Sequence, residues 1–165
     1  MSRTRTLPDT EIYAQVLSAL EAHGEKAVSF GGLSRTTGLA PATLAQRYGS
    51  VDGMLRAAIT AEWARLTEAL DLAAQDTTKG AQGLLKSLPV PSAAVLAACL
   101  RDPVLRPLAA DWRARVEALL SARRGGGTKG AETAALIFAA WQGRQMWEGA
   151  GGKSFRLAEA IKRLG

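Results

Sequence analysis

Apolar residues recur at three- and four-residue spacings along most of this chain and almost nowhere alternate with period two, so the pattern predicts helices throughout. The first stripe is Ile12, Val16, Leu17 and Leu20, closed by His23-Gly24 with glycine at the position past a helix end that favours left-handed backbone. Leu33, Leu39 and Leu44 follow in a segment sized for two short helices joined at Gly38. Pro41 suits the first turn of the second of these, where its missing N–H costs nothing. Leu55, Ile59, Trp63, Leu66 and Leu70 predict one long helix, Met54–Ala74, with Asp52 as its N-cap.

Beyond it, Lys79–Leu88 predicts a short helix, interrupted by Leu88-Pro89-Val90-Pro91 because both prolines disfavour helix before them. Ser92 is placed to cap an Ala-rich helix to about Leu100. Asp102-Pro103 is placed to open another, through Trp112, Val116 and Leu119 to about Arg123. Arg124–Gly130 reads as a mobile glycine-rich connector and Ala131–Trp147 as a strongly apolar helix. Gly149–Gly152 is a break before a last helix, Phe155–Leu164, capped by Ser154. The fold class is therefore all-α: an N-terminal three-helix unit over 1–52 and a C-terminal helical bundle over 53–165, about nine helices in all.

Composition agrees. Of 165 residues 47% are hydrophobic, with Ala and Leu dominant and β-branched residues sparse, which is helix-forming composition in a chain long enough for a real core. No apolar run is long enough to span a bilayer and MSRTRTLPDTE lacks the apolar stretch of a signal peptide, so a cytoplasmic location without a membrane partner is expected. The single cysteine, Cys99, excludes an internal disulfide framework and agrees with a reducing compartment. The net charge of +6 points weakly toward nucleic acid, because the first 56 residues hold six cationic against five acidic side chains. Most of the excess lies later, with a cluster at Arg123, Arg124 and Lys129. Arg3 and Arg5 read either as an arm reaching phosphates or as a solvated tail; Arg35 and Arg47 are placed more informatively.

Nothing points to catalysis. His23, the one histidine, suits the last turn of a helix as a dipole partner, and Cys99 has no histidine near it in sequence. There is no Cys/His spacing for a metal, and the triple glycine at 125–127 lacks both the preceding strand and the Gly-Lys-Ser/Thr ending of a phosphate-binding loop. The expectation is a non-enzyme without cofactor or metal.

One segment is more specific. Leu33–Leu55, LSRTTGLAPATLAQRYGSVDGML, predicts a helix-turn-helix with Ala42, Thr43, Gln46 and Arg47 facing outward; an ordinary helical hairpin is the alternative for the turn and leucines alone. Ser29-Phe30, Leu33-Ser34, Gly38-Leu39, Thr43-Leu44, Tyr48-Gly49-Ser50 and Leu55 follow, position by position, the pattern of the N-terminal domain of the TetR family, and residues 12–55 resemble that domain. The resemblance implies a repressor-type transcriptional regulator that binds double-stranded DNA through Arg35, Thr36, Pro41, Ala42, Thr43, Gln46, Arg47 and Tyr48. Gln46 and Arg47 are expected at base edges, Arg35 at phosphate, and Tyr48 as core packing. Three departures, Ala40, Ala45 and Val51, replace family residues that cap the helix or touch phosphates, so the alternative is a helical dimer of this fold that has lost specific DNA binding.

The resemblance further implies a small effector in the C-terminal body and a homodimer through its last two helices. Trp63, Cys99, Trp112, Phe138 and Trp141 are the candidate effector pocket, against the plainer reading of tryptophans at helical spacing as core. Ala134, Ile137, Phe138, Trp141 and Met146 on one helix, with Phe155 and Ile161 on the last, are the candidate dimer face, because the first helix is apolar over too much of its circumference to have a solvent side.

Overall fold

The computed structural model describes residues 7–151 and 156–163. Among them are nine α-helices, two single 3₁₀ turns and no strand. The helices are α1 (Asp9–His23), α2 (Phe30–Thr37), α3 (Pro41–Tyr48), α4 (Val51–Gln75), α5 (Ala81–Ser87), α6 (Ala93–Arg101), α7 (Arg106–Ala122), α8 (Gly127–Trp147) and α9 (Leu157–Arg163), with 3₁₀ turns at Glu25–Ala27 and Glu148–Ala150. The all-α expectation holds. None of the described helices is long and apolar enough to cross a membrane.

Two compact units divide these helices differently from a cut after residue 52. One comprises the described residues up to Ala64 together with Ser92–Ala109; the other comprises Arg65–Pro91 and the described residues from Ala110 onward. In the first, α1 packs on both α2 and α6, so the stripe Ile12, Val16 and Leu20 needs a helix that returns from far along the chain to bury it. A period-3.6 pattern reports which face is apolar and not what covers it, so the part that α6 plays in the first unit has no local mark in the sequence.

Cap chemistry accounts for most shifted helix ends. The Ser50 hydroxyl accepts the Gly53 amide at 2.9 Å, so α4 begins one turn before Met54 and Asp52 is a first-turn residue, not the N-cap. Asp102 and Pro103 form a turn, not a helix start: Asp102 Oδ1 accepts Val104 N at 2.9 Å and its carbonyl accepts Leu105 N and Arg106 N, so α7 starts at Arg106. α8 starts at Gly127, which shortens the expected connector to 123–126, where Gly125 and Gly126 hold φ of 91° and 71°. Ser92 caps α6 as expected, accepting Val95 N at 3.2 Å. The expected cap Ser154 and the ends of the last helix, Phe155 and Leu164, lie outside the described residues, as do Arg3 and Arg5.

The second unit is built around Leu66, Leu70, Leu84, Trp112, Val116, Leu120, Ile137 and Trp141, all buried. Trp112 Nε1 donates to the Leu66 carbonyl at 3.3 Å, so its one polar atom does not stay unmet in that core. Arg123 gathers carbonyls past the end of α4, donating to Lys79 O at 2.9 Å and Asp76 O at 3.1 Å; a cation there satisfies acceptors that the helix itself cannot.

Candidate nucleic-acid interface

The segment α2–turn–α3 is fixed from inside by short-range chemistry. Ser29 caps α2, its hydroxyl accepting Gly32 N at 3.0 Å. Thr37, buried, donates to Leu33 O at 2.6 Å and accepts Leu39 N at 3.3 Å, so one hydroxyl closes the last turn of α2 and opens the connection. Gly38 takes the left-handed conformation, φ 74° and ψ 5°, and its amide donates to Ser34 O. A side chain at that φ would be strained, which is the physical reason for glycine here. At the next corner a β-carbon on Gly53 would collide with the Tyr48 carbonyl oxygen, so glycine is required inside the first turn of α4 for the close approach of α3.

Leu33, Thr37, Leu39 and Leu44 are buried, while Arg35, Thr36, Pro41, Ala42, Thr43, Gln46 and Arg47 are all exposed. Seven of the eight expected contact residues are therefore open to solvent on these two helices. No side chain caps α3, since Ala40 has no acceptor to offer its first amides.

Arg47, although exposed, and the half-buried Tyr48 both reach the start of α1. Arg47 Nε lies 2.9 Å from Asp9 Oδ1, its Nη1 donates to the Leu7 carbonyl at 2.8 Å, and the guanidinium stands 5.9 Å over the Tyr48 ring. The Tyr48 hydroxyl donates to the same Asp9 Oδ1, and its ring tilts against Tyr13 with centroids 6.1 Å apart. Burial first, then the Asp9 hydrogen bond and charge, push the Tyr48 phenol well above its ordinary pKa, so it remains a donor. Arg47 is exposed, and its guanidinium is at the same time engaged by Asp9 and the Leu7 carbonyl, which ties the end of α3 to the start of α1. Tyr48, expected as core, is half-buried and belongs to the same anchor. Asp9 and Leu7 were missed because their partners lie about forty residues away and nothing local marks them.

The expected effector pocket is not formed as one site in either unit. Trp63 and Cys99 are buried in the first, where the Cys99 thiol donates to Leu105 O at 2.9 Å and burial pushes its pKa up. Trp112, Phe138 and Trp141 belong to the second and pack on one another with centroids 6.0–6.2 Å apart, Phe138 edge-on to both indoles. Aromatic rings filling each other's space at that spacing leave no cavity among the three, although Trp141 also lines a separate cleft beside α5 and α9.

The expected dimer face is corrected as well. Ala134, Ile137, Trp141 and Ile161 are buried within the chain's own second unit and Phe138 is half-buried there, because α8 turns that side to α9 and the aromatic cluster. Phe155 lies outside the described residues. Of the described members only Met146 is exposed, and it sits beside a different stripe of α8: Leu136, Ala139, Gly143 and Trp147, with Leu136 at 55% and Trp147 at 65% exposure.

Among the described residues no group of three or more His, Cys, Asp or Glu is placed to hold a metal ion. No protein-family model matches this chain, and no curated protein matches it at a significant level.

Proposed function

We propose that this chain is a TetR-like DNA-binding transcriptional regulator, a repressor that binds a palindromic operator as a homodimer and is released by a small effector. The observation that carries the reading is the α2–turn–α3 segment: leucines and Thr37 inward, a left-handed Gly38 between the helices, and Arg35, Thr36, Pro41, Ala42, Thr43, Gln46 and Arg47 exposed. Such a helix presents its outward residues to the major groove, where Gln46 suits adenine and Thr43 either a base or a phosphate. Each good bidentate base contact discriminates by about 1–3 kcal/mol. Arg35, exposed on the preceding helix, supplies charge for phosphate. The exposed residues Leu136, Ala139 and Trp147, with half-buried Gly143 between them, form the surface through which two copies would pair.

A second reading, a helical dimer of this fold without specific DNA affinity, is favoured by two observations: α3 has no N-cap side chain, and Arg47 is held by Asp9. Selection from a random duplex library separates the two. The regulator enriches a palindrome whose half-sites lie one helical turn apart, about 34–36 Å. Failure to enrich any palindrome at low salt would refute it.

A further inference from the structure

A cleft of about 500 Å³ opens in the second unit where α5, the end of α8 and the start of α9 meet. That volume lies in the range of small-molecule sites, about 300–1,000 Å³. Its floor is hydrocarbon and indole, from Leu85 and Trp141, and its rim carries Lys86, Arg144 and Arg156 against one carboxylate, Glu148. Four arginines elsewhere are paired with carboxylates: Arg47 with Asp9, Arg56 with Asp102, Arg101 with Glu25, Arg115 with Asp71. Among the described residues no ion pair or hydrogen bond engages the three cations of this rim. Three cations gathered over an apolar floor repel one another, and an anion with an apolar body relieves that repulsion while covering the floor.

We propose that this cleft binds a small amphipathic monocarboxylate, with the head among Lys86, Arg144 and Arg156 and the hydrocarbon or aryl body over Leu85 and Trp141. Inorganic phosphate has nothing to lay on the floor, so a carboxylate with an apolar body fits the cleft better. Because the rim is open to solvent, binding weakens as ionic strength rises.

The test is calorimetric titration of the full chain, without DNA, with octanoate and 2-naphthoate as two bodies on one head. The controls are 1-octanol, which lacks the charge, and inorganic phosphate, which lacks the body. At least one carboxylate is expected to bind about tenfold or more tighter than either control. Arg144→Gln and Arg156→Gln should each weaken it by about tenfold, while Arg113→Gln, outside the cleft, leaves it unchanged. Unchanged far-UV dichroism in the rim variants keeps a loss of binding distinct from a loss of fold. The proposal is overturned if neither carboxylate binds, if a control matches them, or if the rim variants bind as the parent does. Since no DNA is present, its failure leaves the regulator reading intact, and failure to find an operator leaves this site intact.

Discussion

Replacing Asp9 by Asn separates the two roles that Arg47 could play, because it should move stability and DNA affinity in opposite directions. Asp9 accepts from both Arg47 and the Tyr48 hydroxyl, and through them ties the end of α3 to the start of α1. The side chains of the ion pair remain 31% and 47% exposed, so water screens it and it contributes about 0.2–1 kcal/mol. The tyrosine hydrogen bond to a charged acceptor adds about 1 kcal/mol in this half-buried setting. Asn keeps one acceptor oxygen, so the loss is about 1–2 kcal/mol, which for a chain of this size lowers Tm by roughly 2–8 °C. On the DNA side the same change removes a carboxylate and releases a guanidinium. One additional phosphate contact steepens the dependence of log affinity on log salt by about 0.9. Thermal unfolding followed by dichroism reads the first effect, and anisotropy on an enriched duplex across a salt series reads the second. Arg47→Ala should reproduce the stability loss without the gain in binding, and the double variant should show that the two losses are not additive. An Asp9→Asn protein that melts with the parent and keeps its salt slope would refute the anchor and the reasoning built on it.

The helices were legible because their information is local. Ile12, Val16 and Leu20 announce α1 by spacing, Gly38 announces a left-handed turn, and Ser92 and Pro41 announce starts; each of these acts within four residues, and each is found where expected. The misplaced starts of α4 and α7 come from the same short-range chemistry read one turn out. Ser50 and Asp52 both suit a cap, and only the Gly53 amide decides between them. What the sequence could not supply is anything that depends on a distant partner. The return of α6 to α1, the grip of Asp9 on Arg47 and the side of α8 that α9 covers all join residues beyond the reach of a single helix's repeat, and periodicity carries no record of them. Exposure of the candidate contact residues follows from the same local spacing, whereas the pairing of exposed Arg47 with Asp9 depends on a carboxylate on another helix that nothing near Arg47 in sequence marks.

Ala40→Ser should give α3 the N-cap it lacks and raise stability by about 0.5–1 kcal/mol, read as a higher Tm; an unchanged Tm would mean the first amides of α3 are already satisfied. Cys99, buried and with its pKa raised first by desolvation, should react with iodoacetamide at pH 8 far more slowly in the folded protein than in denaturant; comparable rates would contradict its burial. Leu136→Glu and Trp147→Glu, on the exposed stripe of α8, should turn a dimer into a monomer in sedimentation at micromolar concentration while leaving the helical dichroism intact, because each would bury a carboxylate in an apolar contact. Trp141→Glu, by contrast, places that charge inside the protein's own core and should cost the fold itself. If the parent chain sediments as a monomer, neither this stripe nor a palindromic operator survives, since one copy presents a single α3 and cannot span two half-sites.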